Sequence, residues 1–256
     1  MEQRDEARKV ALVTGGAVRV GRAIVEALAA SEYDVWIHYR ASQGPARELC
    51  DALGDRCLGI VGAELSEGSA RDALIARVCD RAGPAGGRVD LLVNSAASFE
   101  RGRFTRRSDD DLRRVLEVNL VAPVALVRGL AGALARARGS VVNILDLAGF
   151  DPWPQFHDHC VAKAGLWMAT RALAVELAPA IRVNGVAPGT VLWPDEARYA
   201  EGTELRARIV DAIPLARIGT PEDVARAVLF FAESPFVSGQ MVAIDGGRMA
   251  GGASGY

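Results

Sequence analysis

The chain opens its ordered pattern with a short apolar run, Lys9 to Val13, that passes directly into Thr14-Gly15-Gly16-Ala17-Val18-Arg19-Val20-Gly21. Val20, Ile24, Ala27 and Leu28 then recur at helical intervals. Strand, glycine turn and helix in immediate succession present free backbone N–H groups and the positive end of a helix to an anion such as a phosphate. An ordinary strand-to-helix turn needs one glycine, and this one has three. The same alternation of strand-sized runs and helical patterns continues to the last strand, Met241 to Ile244. It predicts an α/β fold, a doubly wound parallel sheet with helices on both faces. No internal repeat, linker or low-complexity segment interrupts it, so residues 1–256 are read as a single domain.

In such sheets ligands bind outside the carboxyl ends of the strands, and the candidate residues map to that rim. The second strand, Tyr33 to Tyr39, ends in Arg40-Ala41-Ser42. No acidic residue stands there to pair a ribose hydroxyl. Arg40 and Ser42 offer donors to a ribose phosphate instead, which favours NADPH over NADH. Glu64 and Leu65 follow the third strand, where an adenine edge would lie. The strand Val89 to Val93 ends in Asn94-Ser95-Ala96-Ala97-Ser98-Phe99, small residues that admit a flat ligand, with Phe99 as a stacking platform. Gly83 to Gly87 reads as a loop. A helical stretch from Asp109 to Arg138 carries Asn119 at its centre and a kink expected at Pro123. Asp146 ends the strand Ser140 to Leu145. Pro188-Gly189 follows a strand at about residues 180–186. The irregular, charged and aromatic segment 188–215, containing Trp193, is expected to cover a substrate. Thr220-Pro221 begins a capped helix.

His159 and Lys163 lie four residues apart on one helix face, a proton donor with a cation one turn away. Lys9 and Lys163 are the only lysines among 30 basic residues. A lysine kept inside an apolar helix therefore argues for a compact ammonium at that point. A net charge of −2 gives no support for nucleic-acid or anionic-membrane binding. Neither a signal peptide nor a membrane span is visible. Cys50, Cys57, Cys79 and Cys160 show no metal-ligand spacing, so no metal is expected, and they suit reduced thiols in a cytoplasm.

Taken in order, Thr14–Gly21, Asn94-Ser95-Ala96, Asn119, Lys163, Pro188-Gly189 and Asp245-Gly246-Gly247 resemble the short-chain dehydrogenase/reductase family across residues 9–248. The resemblance implies a Rossmann-type fold, a nicotinamide cofactor and a homotetramer built on the long helices. Its implied cofactor ligands are Thr14, Gly15, Arg19, Val20, Gly21, Tyr39, Arg40, Ser42, Glu64, Leu65, Asn94, Ala96, Lys163, Pro188 and Gly189. Within the family the chain looks like the pteridine reductases. Arg19 replaces a glycine in the phosphate turn, Asp146 stands where the wider family has Ser, and Phe99 matches the residue that stacks on a pterin. Arg19, Ser98, Phe99 and Trp193 are then the expected substrate contacts, although Ala97 stands where a pterin-contacting Ser is expected. The departure is His159, where the family has Tyr. Two readings follow. His159, held by Asp146 and assisted by Lys163 and Asn119, supplies the proton for NADPH-dependent pteridine reduction. Alternatively, the chain binds NADPH without turnover, as a sensor or assembly subunit. Reduction of a ketone remains a third possibility.

Overall fold

The computed structural model describes residues 8–80 and 87–251; Gly83 to Gly86 of the expected loop lie outside them. Seven strands form one parallel sheet, β1 (Lys9–Thr14), β2 (Tyr33–Tyr39), β3 (Cys57–Gly62), β4 (Leu91–Asn94), β5 (Ser140–Ile144), β6 (Arg182–Pro188) and β7 (Met241–Ile244). Their order is β3-β2-β1-β4-β5-β6-β7. The order reverses direction between β1 and β4, where Thr14 pairs in register with Asn94. That switch point is where a doubly wound sheet opens a crevice for a ligand.

Alternation along each strand divides the core into two layers. Ala11 and Val13 of β1 face the layer made by α1 (Arg19–Ala30), α2 (Gln43–Leu53) and α8 (Pro221–Glu233), where Ile24, Leu28, Val228 and Phe231 are fully buried. Val10 and Leu12 face the opposite layer, which includes α3 (Gly68–Cys79) and α5 (Ala122–Ala137). Leu126, Leu130 and Leu134 of α5 have no exposed surface, so truncating any one of them to Ala costs about 2–5 kcal/mol. The stretch Asp109–Ala137 is apolar and long enough to cross a membrane by composition, but half of its most apolar window is buried within the fold. Its apolarity is that of a core helix.

The long helix expected from Asp109 to Arg138 is divided. α4 (Asp109–Leu116), begun by a Ser108–Asp111 capping box, passes into a single π turn, Glu117–Val121, before α5. The irregularity thus lies before Pro123, where the kink was expected. Pro123 has no N–H to donate to the Asn119 carbonyl four residues earlier, and its ring crowds that carbonyl. Widening the preceding turn relieves both problems and carries Asn119 into the interior.

Two further expectations are corrected. Cys50, near the end of α2, and Cys57, at the start of β3, form a disulfide, because the tight connection brings their Cα atoms to 5.2 Å. Cys79 and Cys160 are free, so the thiol argument for a reducing compartment rests on these two alone. The segment after β6 is also less irregular than its sequence suggested. It contains α7 (Glu204–Asp211), capped by Thr203.

Candidate active site

The carboxyl ends of β1, β2 and β4 meet in a cleft of about 410 Å³ floored by the glycine turn. Its shape is set by backbone. A Cβ on Gly21 would overlap the Gly15 carbonyl, and one on Gly15, whose φ is +64°, would press on Ala96 at 3.0 Å. These positions need glycine for close approach and, at Gly15, for a left-handed backbone. Arg19, first residue of α1, also has a positive φ, 54°. An L-residue there costs about 1–2 kcal/mol, and the exposed side chain borders both this cleft and the larger cavity beside it. Val20, Tyr39, Arg40, Ser42, Glu64, Leu65 and Ala96 also line the cleft. Arg40 is exposed and has no protein partner among the described residues.

Thr14 and Asn94 stand behind this wall instead of on it. The Thr14 hydroxyl accepts hydrogen bonds from the Ser95 and Ala96 N–H groups at 2.9 and 3.1 Å, tying β1 to β4. Asn94 donates to Asn143 at 2.8 Å, and Asn143 donates to Thr170 at 2.9 Å. Both were expected as direct ligands; their buried hydrogen bonds make them braces. His38 is a brace the sequence reading passed over. The Gly15 N–H donates to its Nδ1 at 3.0 Å, so Nε2 carries the proton and donates to the Ala63 carbonyl, also at 3.0 Å. Burial depresses its pKa, more than its bond to Ala63 raises it, so the neutral form that this geometry needs is favoured.

The second cavity, about 950 Å³, opens beyond Phe99. Its floor is built by β5 and α6 (His157–Glu176). After Ile144 the chain makes a tight turn, Leu147–Gly149, capped by the Asp146 carboxylate, which accepts from the Ala148 N–H at 2.9 Å. Gly149 lets that turn close on α6, because a Cβ there would lie 2.9 Å from the Lys163 carbonyl carbon. Asp146 is thereby brought to His159, with Nε2 3.2 Å from Oδ2. On its other edge, His159 Nδ1 lies 3.3 Å from both the Ser98 carbonyl and the Asn119 amide nitrogen. Asn119 grips Ser98 from the π turn, accepting from its N–H at 2.7 Å and donating to its carbonyl at 2.8 Å. The imidazole therefore has a partner on Nδ1 in either state: it accepts from Asn119 when that nitrogen is bare and donates to Ser98 when it is protonated.

Lys163 is buried and donates to the Ile144 carbonyl at 2.7 Å. Burial lowers its pKa to about 8, and the Asp146 charge only partly offsets this. Phe99 is half exposed at the junction of the two cavities. It stacks on Phe156 at 4.4 Å and meets the His159 ring edge-on at 4.8 Å. Ser98 was expected to touch substrate, but its hydroxyl turns away to donate to Glu100 at 2.9 Å. Behind the floor, Arg107 bridges Asp158 at 2.8 Å and Glu100 at 3.1 Å. Hydrogen bonds from Arg114, Ser98 and Arg107, the Arg114 one largest, hold the Glu100 carboxyl down at about 2. This network was invisible in the sequence, which shows only scattered charges. Pro188, Gly189 and Trp193 line the remaining wall. No cluster of metal-ligating side chains occurs among the described residues.

A family model described as enoyl-(acyl carrier protein) reductase matches residues 16–248. The 3beta-hydroxysteroid dehydrogenase 1 of Eggerthella lenta is 33% identical over 246 residues, covering 93% of this chain and 93% of that protein. The chain belongs to the short-chain dehydrogenase/reductase family. It is an oxidoreductase of that family. The FabG 3-oxoacyl-acyl-carrier-protein reductase of Aquifex aeolicus is also 33% identical, over 248 residues that cover 93% of this chain and 96% of that one. Among solved structures, FolM alternative dihydrofolate reductase 1 of Brucella canis, complexed with NADP, superposes with a TM-score of 0.84. It is 34% identical, and the match covers 96% of each chain. The short-chain dehydrogenase/reductase fold thus extends over nearly the whole chain, and its relatives act on more than one kind of substrate.

Proposed function

We propose that this short-chain dehydrogenase/reductase is an NADPH-dependent reductase of a pteridine, a dihydropterin or dihydrofolate, with the Asp146–His159 pair as its proton source. The residues fit the cofactor. The Gly15–Gly21 turn leaves room that a side chain at Gly21 would fill, and Arg40 and Ser42 border the same cleft with donors suited to a ribose phosphate. When bound, NADPH supplies the hydride. Lys163, in contact with the cavity floor, is placed to hold a ribose hydroxyl there, and segment 188–215 with Trp193 serves as the substrate cover.

The observation that carries the proton assignment is the pairing itself, together with its burial. His159 is 2% exposed, whereas the Asp146 side chain is 21% exposed on the cavity floor. Asp146 is therefore the member that meets substrate. A proton passes from His159 Nε2 to Asp146 Oδ2 and from there to a ring nitrogen. Starting from the imidazolium, this transfer leaves a neutral ring whose remaining proton, on Nδ1, is donated to the Ser98 carbonyl, and the vacated Nε2 is reprotonated from the cavity through Asp146. This arrangement removes the need for the short imidazole to reach as far as a phenol. The likeness to the Brucella canis FolM protein and the Arg19–Phe99–Asp146 set support a pteridine ring. A homotetramer is the oligomer the family resemblance implies.

A second reading draws on the steroid and acyl-carrier relatives: the same pair protonates a ketone oxygen. NADPH oxidation by the purified protein against dihydropterin, dihydrofolate and ketone panels decides between them. Turnover with ketones alone sinks the pteridine assignment. Tight NADPH binding with no turnover on any panel points to a non-catalytic member.

A further inference from the structure

We infer that the mouth of the larger cavity is a subsite for an anionic arm of the substrate, gripped by Arg101 and Arg208. The preferred substrate is then a pteridine with an aromatic, carboxylate-ended side arm and not a bare ring. The inference rests on the pteridine reading above and deepens it.

The cavity is too basic for a bicyclic ring alone. Its roughly 950 Å³ also has to take the nicotinamide end of the cofactor beside Lys163, so its charge and not its size carries the inference. Five arginines line it, Arg19, Arg101, Arg198, Arg208 and Arg248, against three carboxylates, Asp146, Asp195 and Glu196. That local excess runs against a chain whose net charge is −2. Two of the three carboxylates are already engaged, Asp146 by His159 and Glu196 by Arg198.

Arg101 and Arg208 are exposed, and their guanidinium groups have no ion pair, hydrogen bond or ring contact among the described residues. Their nearest acids in sequence do not serve them. Glu100, beside Arg101, is taken by Arg107 and Arg114. Glu204 and Asp211 lie about one turn either side of Arg208 on α7, yet neither pairs with it. One unpaired guanidinium at a surface is ordinary and worth little. Here two of them, from the loop after β4 and from α7, border the mouth of one cavity.

An aromatic wall accompanies them. Trp193 and Tyr199 stack at 6.3 Å, and Arg206 and Arg198 lie over their rings at 4.6 and 4.5 Å. From buried floor to exposed rim, the cavity thus offers the acid pair with Phe99, then flat aromatic surface, then free guanidinium groups. A pteridine, an aromatic linker and a carboxylate match that order. Guanidinium forks bind carboxylates in a bidentate manner, and a phosphate-ended arm is the competing anion.

The test compares wild type with the Arg101→Ala/Arg208→Ala double variant, using dihydrofolate, dihydrobiopterin and the isolated tail p-aminobenzoyl-glutamate. In the variant the ratio of kcat/KM for dihydrofolate to that for dihydrobiopterin is expected to fall about tenfold or more, through KM, the order of one charge-assisted contact. Saturation-transfer NMR on the NADPH-loaded protein is expected to show p-aminobenzoyl-glutamate bound to wild type and lost from the variant. An unchanged ratio, or equal tail binding by both proteins, overturns the subsite. Displacement of the tail by 4′-phosphopantetheine at lower concentration than by free tail overturns the carboxylate assignment. Tail binding that depends on the two arginines, without turnover of either pteridine, supports the subsite while refuting ring reduction. Turnover of both pteridines with no tail binding does the reverse.

Discussion

The two ends of the site are built from different materials. The cleft at β1, β2 and β4 is a backbone construction. Its shape depends on Gly15 and Gly21, and its polar side chains, Thr14 and His38, are turned inward to hold main chain to main chain. The floor at β5 and α6 is a side-chain construction. There Asp146, His159 and Asn119 hold one another at hydrogen-bond distance, and Lys163 is anchored beside them on the Ile144 carbonyl. A backbone site fails sterically and all at once. An ionisable side-chain site fails chemically, with the fold intact.

The largest effect should come from Gly21→Val. Its side chain has to displace the Gly15 carbonyl, which costs about 1–3 kcal/mol or more and closes the cleft. NADPH titration should show binding abolished, accompanied by a lowered melting temperature. Retained affinity would break the contrast at its first term. Next, Asp146→Asn keeps the shape of the floor but removes the proton acceptor. Its kcat should fall about 10²-fold or more, with the NADPH Kd unchanged.

Lys163 sharpens the comparison through pH. Its folded pKa, about 8, lies below the unfolded value, because burial disfavours the charge. Between the two values the unfolded chain binds more protons, so this residue adds stability as pH rises from about 8 toward about 10.5. Denaturant titrations should show the stability of wild type rising relative to that of Lys163→Met across that window. A difference independent of pH would mean that the ammonium is not buried in this way. Smaller still, Arg19→Gly should relieve a left-handed backbone and raise stability by about 1 kcal/mol while weakening NADPH binding. Last, Arg107→Ala breaks the bridge between Glu100, which Arg114 still holds, and Asp158. A severalfold loss in kcat is expected with little change in NADPH affinity, and Arg107→Lys should restore only part of it.

How much could be read in advance follows the same division. The backbone site was legible, because strand alternation and glycine spacing are local properties of the chain. Even there, Thr14 and Asn94 were taken for ligands, since sequence does not say which way a polar side chain turns. His38 lies within the second strand and was given no role. Its partners, Gly15 and Ala63, lie 23 and 25 residues away. On the side-chain floor, the spacing of His159 and Lys163 marked the helix face and Asp146 marked the strand end. Their contact depends on the Leu147–Gly149 turn closing on α6, which no periodicity encodes. The kink expected at Pro123 is a π turn at Glu117–Val121, because the proline's effect falls on the carbonyl four residues earlier. The Arg107–Asp158 arm of the Glu100–Arg107–Asp158 bridge spans 51 residues and left no sequence signal.

The central claim is that a histidine–aspartate pair supplies the proton in a site that the family builds around tyrosine. Single-turnover NADPH oxidation with dihydropterin, measured across pH for wild type, His159→Ala and His159→Tyr, tests it most directly. The account predicts turnover by wild type, a loss of about 10²-fold in His159→Ala with NADPH binding retained, and a rate profile for wild type displaced to lower pH than that of His159→Tyr. Wild-type rates in His159→Ala, or activity found only in His159→Tyr, would contradict it.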